Sequence, residues 1–328
     1  MKLELLDLLR CPKTGAPLAI ESAHRVGDEI ESGQLVAPDG TRYPIDKFVP
    51  RFVPPENYAD NFGIQWNLFR KTQLDSYTGL TVSHDQFYTW TGWSEGELAG
   101  KWVLDVGCGA GRFAEIALAA GANVVALDYS SAVDACRENH AGAARLHVVQ
   151  GDIYSLPFAP RRFDFVYCLG VLQHTPDVRK SFLALPPQLK AGGKLAVGLY
   201  PKIWLNYFWP KYWLRPVTKH IPPRNLFNLV KRLVPILLPV SRLLSRVPKV
   251  GRYLRHAIPV ANHELDWPLS PKQVYEWAVL NTFDMLAPAH DHPQSAATVE
   301  QWSKEAGLTD IWVGRHGFLV GRGIQPAR

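Results

Sequence analysis

The feature that most constrains this chain is an alternation that runs from Lys101 to Tyr200. Short apolar runs (KWVLDV, NVVALD, LHVVQGD, FDFVYCLG and GKLAVGLY) are separated by stretches with helical spacing, RFAEIALAAG and SAVDACREN among them. Apolar runs this short, rich in Val and bounded by Gly or Asp, read as strands buried on both faces. Strands that alternate with helices pair in parallel, because each helix carries the chain back over the sheet. The pattern predicts an α/β fold with a Rossmann-like, doubly wound sheet. Near the end of the chain, TVEQWSKEAG, LTDIWVG and HGFLVGRG supply a last helix and a hairpin, which brings the expected strands to seven.

The rest of the chain divides around this core. Residues 1–55 read as a small unit of their own, opening with a helix at Leu3–Leu9 and closing at YPIDKFVPRFVPP, where Pro50, Pro54 and Pro55 mark a boundary. Residues 56–100 read as helical cover, 101–200 as the core, 201–296 as an insertion after the fifth strand, and 297–328 as the last helix and hairpin. A connection of about 95 residues far exceeds an ordinary loop, so the insertion is expected to be a folded helical element that forms an acceptor-binding lid.

At 47% hydrophobic and 20% charged residues, the composition is that of an ordinary globular protein. Cys11, Cys108, Cys136 and Cys168 show no paired spacing and read as reduced thiols, which suits the cytoplasm. The charged residues within MKLELLDLLRC argue against a signal peptide, and the two prolines of LVPILLPV argue against a membrane-spanning helix. The net charge of +6 is uneven: residues 201–263 carry twelve Lys or Arg and no acid, leaving 24 basic against 30 acidic residues elsewhere.

Ligand chemistry enters at VLDVGCGAGRF. Gly107, Gly109 and Gly111 follow the first core strand directly, where a ligand lies against the main chain as the next helix begins. A dinucleotide loop would read G-x-G-x-x-G, but position 112 is Arg. Asp105, Asp128 and Asp152 stand at three successive strand ends. Acids there suit a ligand that is cationic and carries no phosphate: Asp128 for a ribose diol, Asp152 for an adenine amino group beside Ile153, and Asp105 for an ammonium. S-adenosylmethionine (SAM) meets that description.

VLDVGCGAGRF, VVALDYS, GDIYSLPF and FDFVYCLGVLQHTPD, in this order, resemble the successive motifs of class I SAM-dependent methyltransferases, in particular a small-molecule branch that includes quinone-methylating enzymes. The resemblance implies that Asp105, Gly107, Gly109 and Gly111 hold the methionyl part, Asp128 the ribose, and Asp152 and Ile153 the adenine. Tyr129 would pack beside the adenosine, and Leu169 would line the pocket. The N-terminal LLDLLRCPKTGAPL and GTRYPIDKFVPRFVP resemble a zinc-ribbon-derived accessory unit, with Cys11 kept but Thr14, Val36 and Asp39 where the other ligands would stand. One thiolate does not make a four-ligand site, so no metal is expected.

Methyl transfer to a hydroxyl needs the acceptor aligned and its proton removed. His174, in VLQHTPD after the fourth strand, is the first candidate base, set against a purely loop-shaping role. His290 and Asp291, in APAHDHPQ, form a second candidate pair to orient an acceptor hydroxyl, set against a simple polar turn. Tyr200, Gln65 and Trp66 are further pocket candidates. For the basic, aromatic insertion three readings compete. It is a lid over an acceptor, a membrane-surface element contacting anionic lipid through residues 201–263 at the inner face, or a nucleic-acid groove, the last being the weakest. The expected function is O-methylation of a small, lipid-linked or glycan-linked acceptor. An RNA-directed methyltransferase and a non-catalytic SAM-binding scaffold are the alternatives.

Overall fold

A computed structural model describes residues 1–54, 57–204 and 208–327, apart from the side chain of Arg252. The boundary expected between residues 55 and 56 falls outside the described residues. The first 50 residues build a four-stranded antiparallel meander, β1 (Ala19–Val26), β2 (Glu29–Val36), β3 (Arg42–Asp46) and β4 (Val49–Pro50), behind a short 3-10 turn at Leu3–Asp7. The turn replaces the longer helix expected there.

This meander has little interior of its own. Leu5, Leu9, Ile30 and Leu35 are almost fully buried in one cluster with Leu104, Val106 and Val149 of the large sheet. Lys2 Nζ donates to the carbonyls of Ala143 (2.7 Å) and Leu146 (3.0 Å), and the Phe52 amide donates to Gln150 O at 2.8 Å. The Arg51 guanidinium reaches Gln150 Oε1 at 2.8 Å and Asp134 at 2.6 Å. Cys11 Sγ lies 3.3 Å from the Tyr43 hydroxyl inside the unit.

After a helical cover whose longest members are α1 (Asp60–Leu68) and α2 (Val82–Thr91), with single turns at Asp75–Thr78 and Glu95–Leu98, the core begins. Its elements in chain order are β5 (Trp102–Val106), α3 (Arg112–Ala119), β6 (Asn123–Asp128), α4 (Ala132–Asn139), β7 (Leu146–Gln150), β8 (Phe163–Leu169), α5 (Val178–Leu183) and β9 (Leu189–Leu199). The insertion supplies α6 (Pro210–Thr218), α7 (Pro223–Ser245) and α8 (Pro271–Leu286) before α9 (Ala296–Glu305), β10 (Thr309–His316) and β11 (Phe318–Ile324).

The seven strands lie in the order β10-β11-β9-β8-β5-β6-β7, with β5 to β9 parallel and β11 antiparallel to both its neighbours. The winding reverses between β5 and β8, which opens a crevice beyond their carboxyl ends. In the insertion, α7 and α8 bury Leu226, Val230 and Val234 against Val274, Ala278 and Phe283.

Pro235 and Pro239 do not break α7, which is continuous through both. Each proline leaves one carbonyl a turn earlier without its amide partner. Both prolines are exposed, so water can satisfy the freed groups. No helix among the described residues is long and apolar enough to cross a membrane.

Candidate active site

The loop after β5 holds Gly107, Gly109 and Gly111 at φ of +83°, +52° and +86°. A Cβ at Gly107 would stand 2.4 Å from a Val171 methyl, and one at Gly109 would stand 3.1 Å from Trp66 Nε1, so the backbone is pressed between the cover and the β8 loop. Gly107 and Gly109 line a cavity of about 680 Å³. Gly111 does not: it opens α3, and its carbonyl lies 3.0 Å from His140 Nε2, making it a packing position.

Asp128 closes β6 and turns its carboxylate toward this loop. Oδ2 accepts from the Gly109 amide at 2.9 Å, while Oδ1 accepts from the Ser130 amide and hydroxyl at 2.8 and 2.7 Å. Tyr129 stacks on Tyr58 at 5.0 Å, and both rings line the cavity with Ile153 and Leu169. Asp152 does not reach the wall. Its Oδ1 accepts from the Tyr154 amide at 2.9 Å and caps a 3-10 turn, while its charge acts on Tyr58 and Tyr129, which do line the cavity.

Asp105 lies beneath the loop, 2% exposed and behind the cavity wall that Val106 and Gly107 form, and its Oδ2 has no hydrogen-bond partner. Burial pushes its carboxyl up to about 8; the Tyr167 hydroxyl favours ionisation but makes no hydrogen bond of normal geometry, and the Asp128 charge adds to the rise. An orphaned buried carboxyl, a second carboxylate nearby and a bare glycine backbone are what a cationic ligand without phosphate would compensate.

Arg112, the residue that spoils the dinucleotide pattern, is half-buried at the start of α3 and lines the cavity. Its guanidinium binds Ser83 Oγ at 2.9 Å, Gln73 Oε1 at 3.3 Å and the side-chain oxygen of Gln86. It therefore ties the cover segment to the glycine loop.

The same cavity continues into the insertion. At the junction His174 follows β8, 7% exposed, with Nδ1 3.0 Å from the His290 carbonyl. A carbonyl only accepts, so Nδ1 carries the proton. The neutral ring then keeps its lone pair on Nε2, which makes no hydrogen bond among the described residues. Burial holds the imidazole below its ordinary value, against the opposing pull of the Asp284 charge and the His290 carbonyl. His174 is therefore neutral at pH 7.

Two residues that sequence reasoning missed complete the junction. Asp284, on α8, accepts from Gln65 Nε2 at 3.1 Å and from the Tyr200 hydroxyl at 3.4 Å. Lys211, on α6, sets its ammonium 4.9 Å above the Tyr200 ring and faces the cavity. A signal for Asp284 was present: Trp277, Asn281 and Asp284 recur at helical spacing in an apolar stretch, and all three line the cavity.

The expected His290–Asp291 pair does not form. Asp291 Oδ2 faces Lys211 Nζ at 3.5 Å and Arg215 Nε at 3.7 Å in a buried ion cluster. His290 meets His174 through its carbonyl, while its ring packs edge-on to Tyr58 at 5.6 Å. Neither residue lines the cavity, and the cations of α6 claim the carboxylate.

Residues 104–197 match the sequence model of a methyltransferase domain family. This segment is a methyltransferase domain, and the seven-stranded sheet around it has the class I, SAM-dependent architecture. The family match covers the core strands and leaves the N-terminal meander and the insertion outside it. The ubiquinone biosynthesis O-methyltransferase of Coxiella burnetii (strain RSA 493 / Nine Mile phase I) is 37% identical over 100 residues, 30% of this chain and 43% of that protein. The protein of the same name from Aromatoleum aromaticum is 31% identical over 148 residues, 42% of this chain and 60% of that one. The chain thus spans about half the length of these curated relatives. Among solved structures, human N-acetylserotonin methyltransferase in complex with SAM overlaps 84% of this chain and 60% of its own, at 13% identity and a TM-score of 0.46.

Proposed function

We propose that this chain transfers a methyl group from SAM to a hydroxyl oxygen of a small, largely apolar acceptor, free or lipid-linked. The observation that carries this reading is the single cavity joining the glycine loop to the insertion, with a neutral, lone-pair-bearing His174 where the two halves meet. The names of the curated relatives, O-methyltransferases, support oxygen as the acceptor atom.

When bound, SAM supplies a methyl group already activated on a sulfonium. Gly107 and Gly109 would admit the methionyl part to the backbone, and Asp105 beneath them would answer its ammonium. Asp128 would take the ribose, with Tyr129, Ile153 and Leu169 around the adenosine. On the acceptor side, Trp209, Trp267, Trp277 and Phe318 offer flat apolar faces suited to an aromatic ring. His174 Nε2 takes the proton of the acceptor hydroxyl, the Lys211 ammonium favours the developing oxyanion, and Asp284 holds Tyr200 and Gln65 in place.

Calorimetric titration with SAM, its demethylated product and NAD tests the donor. Binding of both sulfur compounds but not NAD supports the reading; binding of NAD alone overturns it. Transfer of labelled methyl to a panel of phenolic and catecholic acceptors then tests the acceptor class.

A further inference from the structure

The helix α7 has three faces rather than two. Leu226, Val230, Val234, Leu238, Ser241 and Ser245 are buried toward α8. Leu229, Leu233, Ile236, Val240 and Leu243, continued by Val247 just past the helix end, recur at alternating steps of four and three residues yet are exposed, Ile236 at 65% and Leu243 at 70%. At 3.6 residues per turn this second apolar stripe lies about 120° around the helix from the buried one. The remaining third carries Arg224, Lys231, Arg232, Arg242 and Arg246, with Lys249 beyond the end. Glu264 pairs with Arg242 and stands 4.0 Å from Arg246, whereas Arg224, Lys231, Arg232 and Lys249 are exposed and make no ion pair among the described residues.

Single exposed apolar side chains are ordinary, but a row of six is not. Among the described residues, fifteen of the nineteen large apolar side chains that stand exposed fall between 204 and 265, so the exposure belongs to the insertion and not to the surface at large. The helix α6 has the same construction: Lys211 and Arg215 turn inward to Asp291, while Trp213, Leu214 and Val217 are exposed.

We infer that the exposed apolar stripe of α7 docks the protein on an anionic lipid bilayer, lying in the plane of its surface. Charge decides the occupant. Residues 201–263 hold twelve Lys or Arg and no acid, so a second copy of the chain would bring a like-charged face to the contact, whereas anionic headgroups complement it. The basic third borders the apolar stripe, which lets Lys and Arg reach headgroups while Leu, Ile and Val enter the acyl boundary. The stripe runs from Leu229 to Val247, roughly 27 Å at 1.5 Å per residue, long enough to anchor the insertion along its length.

The test is flotation of the full chain with vesicles of phosphatidylcholine alone and of phosphatidylcholine doped with phosphatidylglycerol, with no methyl donor or acceptor present. The result is therefore independent of the methyl-transfer reading. The chain is expected to float with the doped vesicles and to do so less as salt rises. Lys231→Ala/Arg232→Ala should weaken partitioning roughly thirtyfold, at about one kcal/mol per basic residue. Ile236→Glu/Leu243→Glu should abolish partitioning while leaving the circular-dichroism spectrum and thermal unfolding midpoint unchanged, which shows that the fold survives. Equal binding to neutral and doped vesicles, no binding to either, or unchanged flotation of the Ile236→Glu/Leu243→Glu variant would overturn the inference. A dimer in sedimentation that this variant splits would assign the stripe to a second copy instead.

Discussion

Asp105 offers the most direct handle on the donor site. Its carboxyl titrates at about 8, raised first by burial, in a chain without ligand. A ligand ammonium placed near it favours the ionised form, so donor binding must expel the carboxyl proton at any pH below that value. Ionised Asp105 rises from roughly 1% at pH 6 to roughly 9% at pH 7, so SAM affinity should increase about ninefold across that unit. The amino group of the donor stays charged in this range, and the slope reports the protein. Calorimetry at both pH values, in two buffers of different ionisation enthalpy, should show close to one proton released per SAM bound. Asp105→Asn copies the protonated carboxyl in shape. It should bind SAM roughly 10- to 100-fold more weakly, the worth of a charged hydrogen bond, with no pH slope. The raised value also means that burying this group costs stability as pH climbs toward 8, so the ligand-free Asn variant should resist unfolding better than the native chain at neutral pH. A pH-independent SAM affinity in the native chain, or an unchanged slope in the Asn variant, would refute the reasoning.

The remaining predictions concern the junction and the loop. His174→Ala should lower turnover about 10²- to 10⁴-fold with SAM affinity unchanged, and the native rate should fall with acid through a pKa below the ordinary imidazole value, because burial disfavours the charged ring. Asp291→Ala leaves Lys211 and Arg215 buried without their shared carboxylate and should cost about 3–5 kcal/mol in denaturant unfolding. Gly109→Ala puts a Cβ 3.1 Å from Trp66 Nε1 at a φ of +52° and should cost about 1–2 kcal/mol of stability and weaken SAM binding, as read by thermal unfolding and calorimetry.

The core was legible because its signals are local. Strand runs such as NVVALD, the glycine spacing and the acids at strand ends are all set by neighbours within a few residues. What could not be read was which side chains meet across long separations. Gln65 meets Asp284 across 219 residues, and His174 meets the His290 carbonyl across 116, contacts that exist only once the insertion folds back over the switch point. Adjacency misled for the same reason. His290 and Asp291 are neighbours in the chain, but cations from α6 hold the carboxylate while the His290 backbone turns to His174. Asp152 resembled Asp128 in position, yet its own turn took up one of its oxygens.

By itself, the sequence determined a parallel α/β sheet, a phosphate-free nucleoside-type loop and a basic, apolar insertion, since periodicity, backbone freedom and charge are properties of short segments. Only the tertiary structure decided that the meander is built into the core, that Asp284 and Lys211 join His174, and that α7 keeps one apolar face for α8 and leaves another uncovered. Burial and pairing depend on which distant surfaces arrive, and a helix with apolar residues on two faces does not say in its sequence which one the protein will cover.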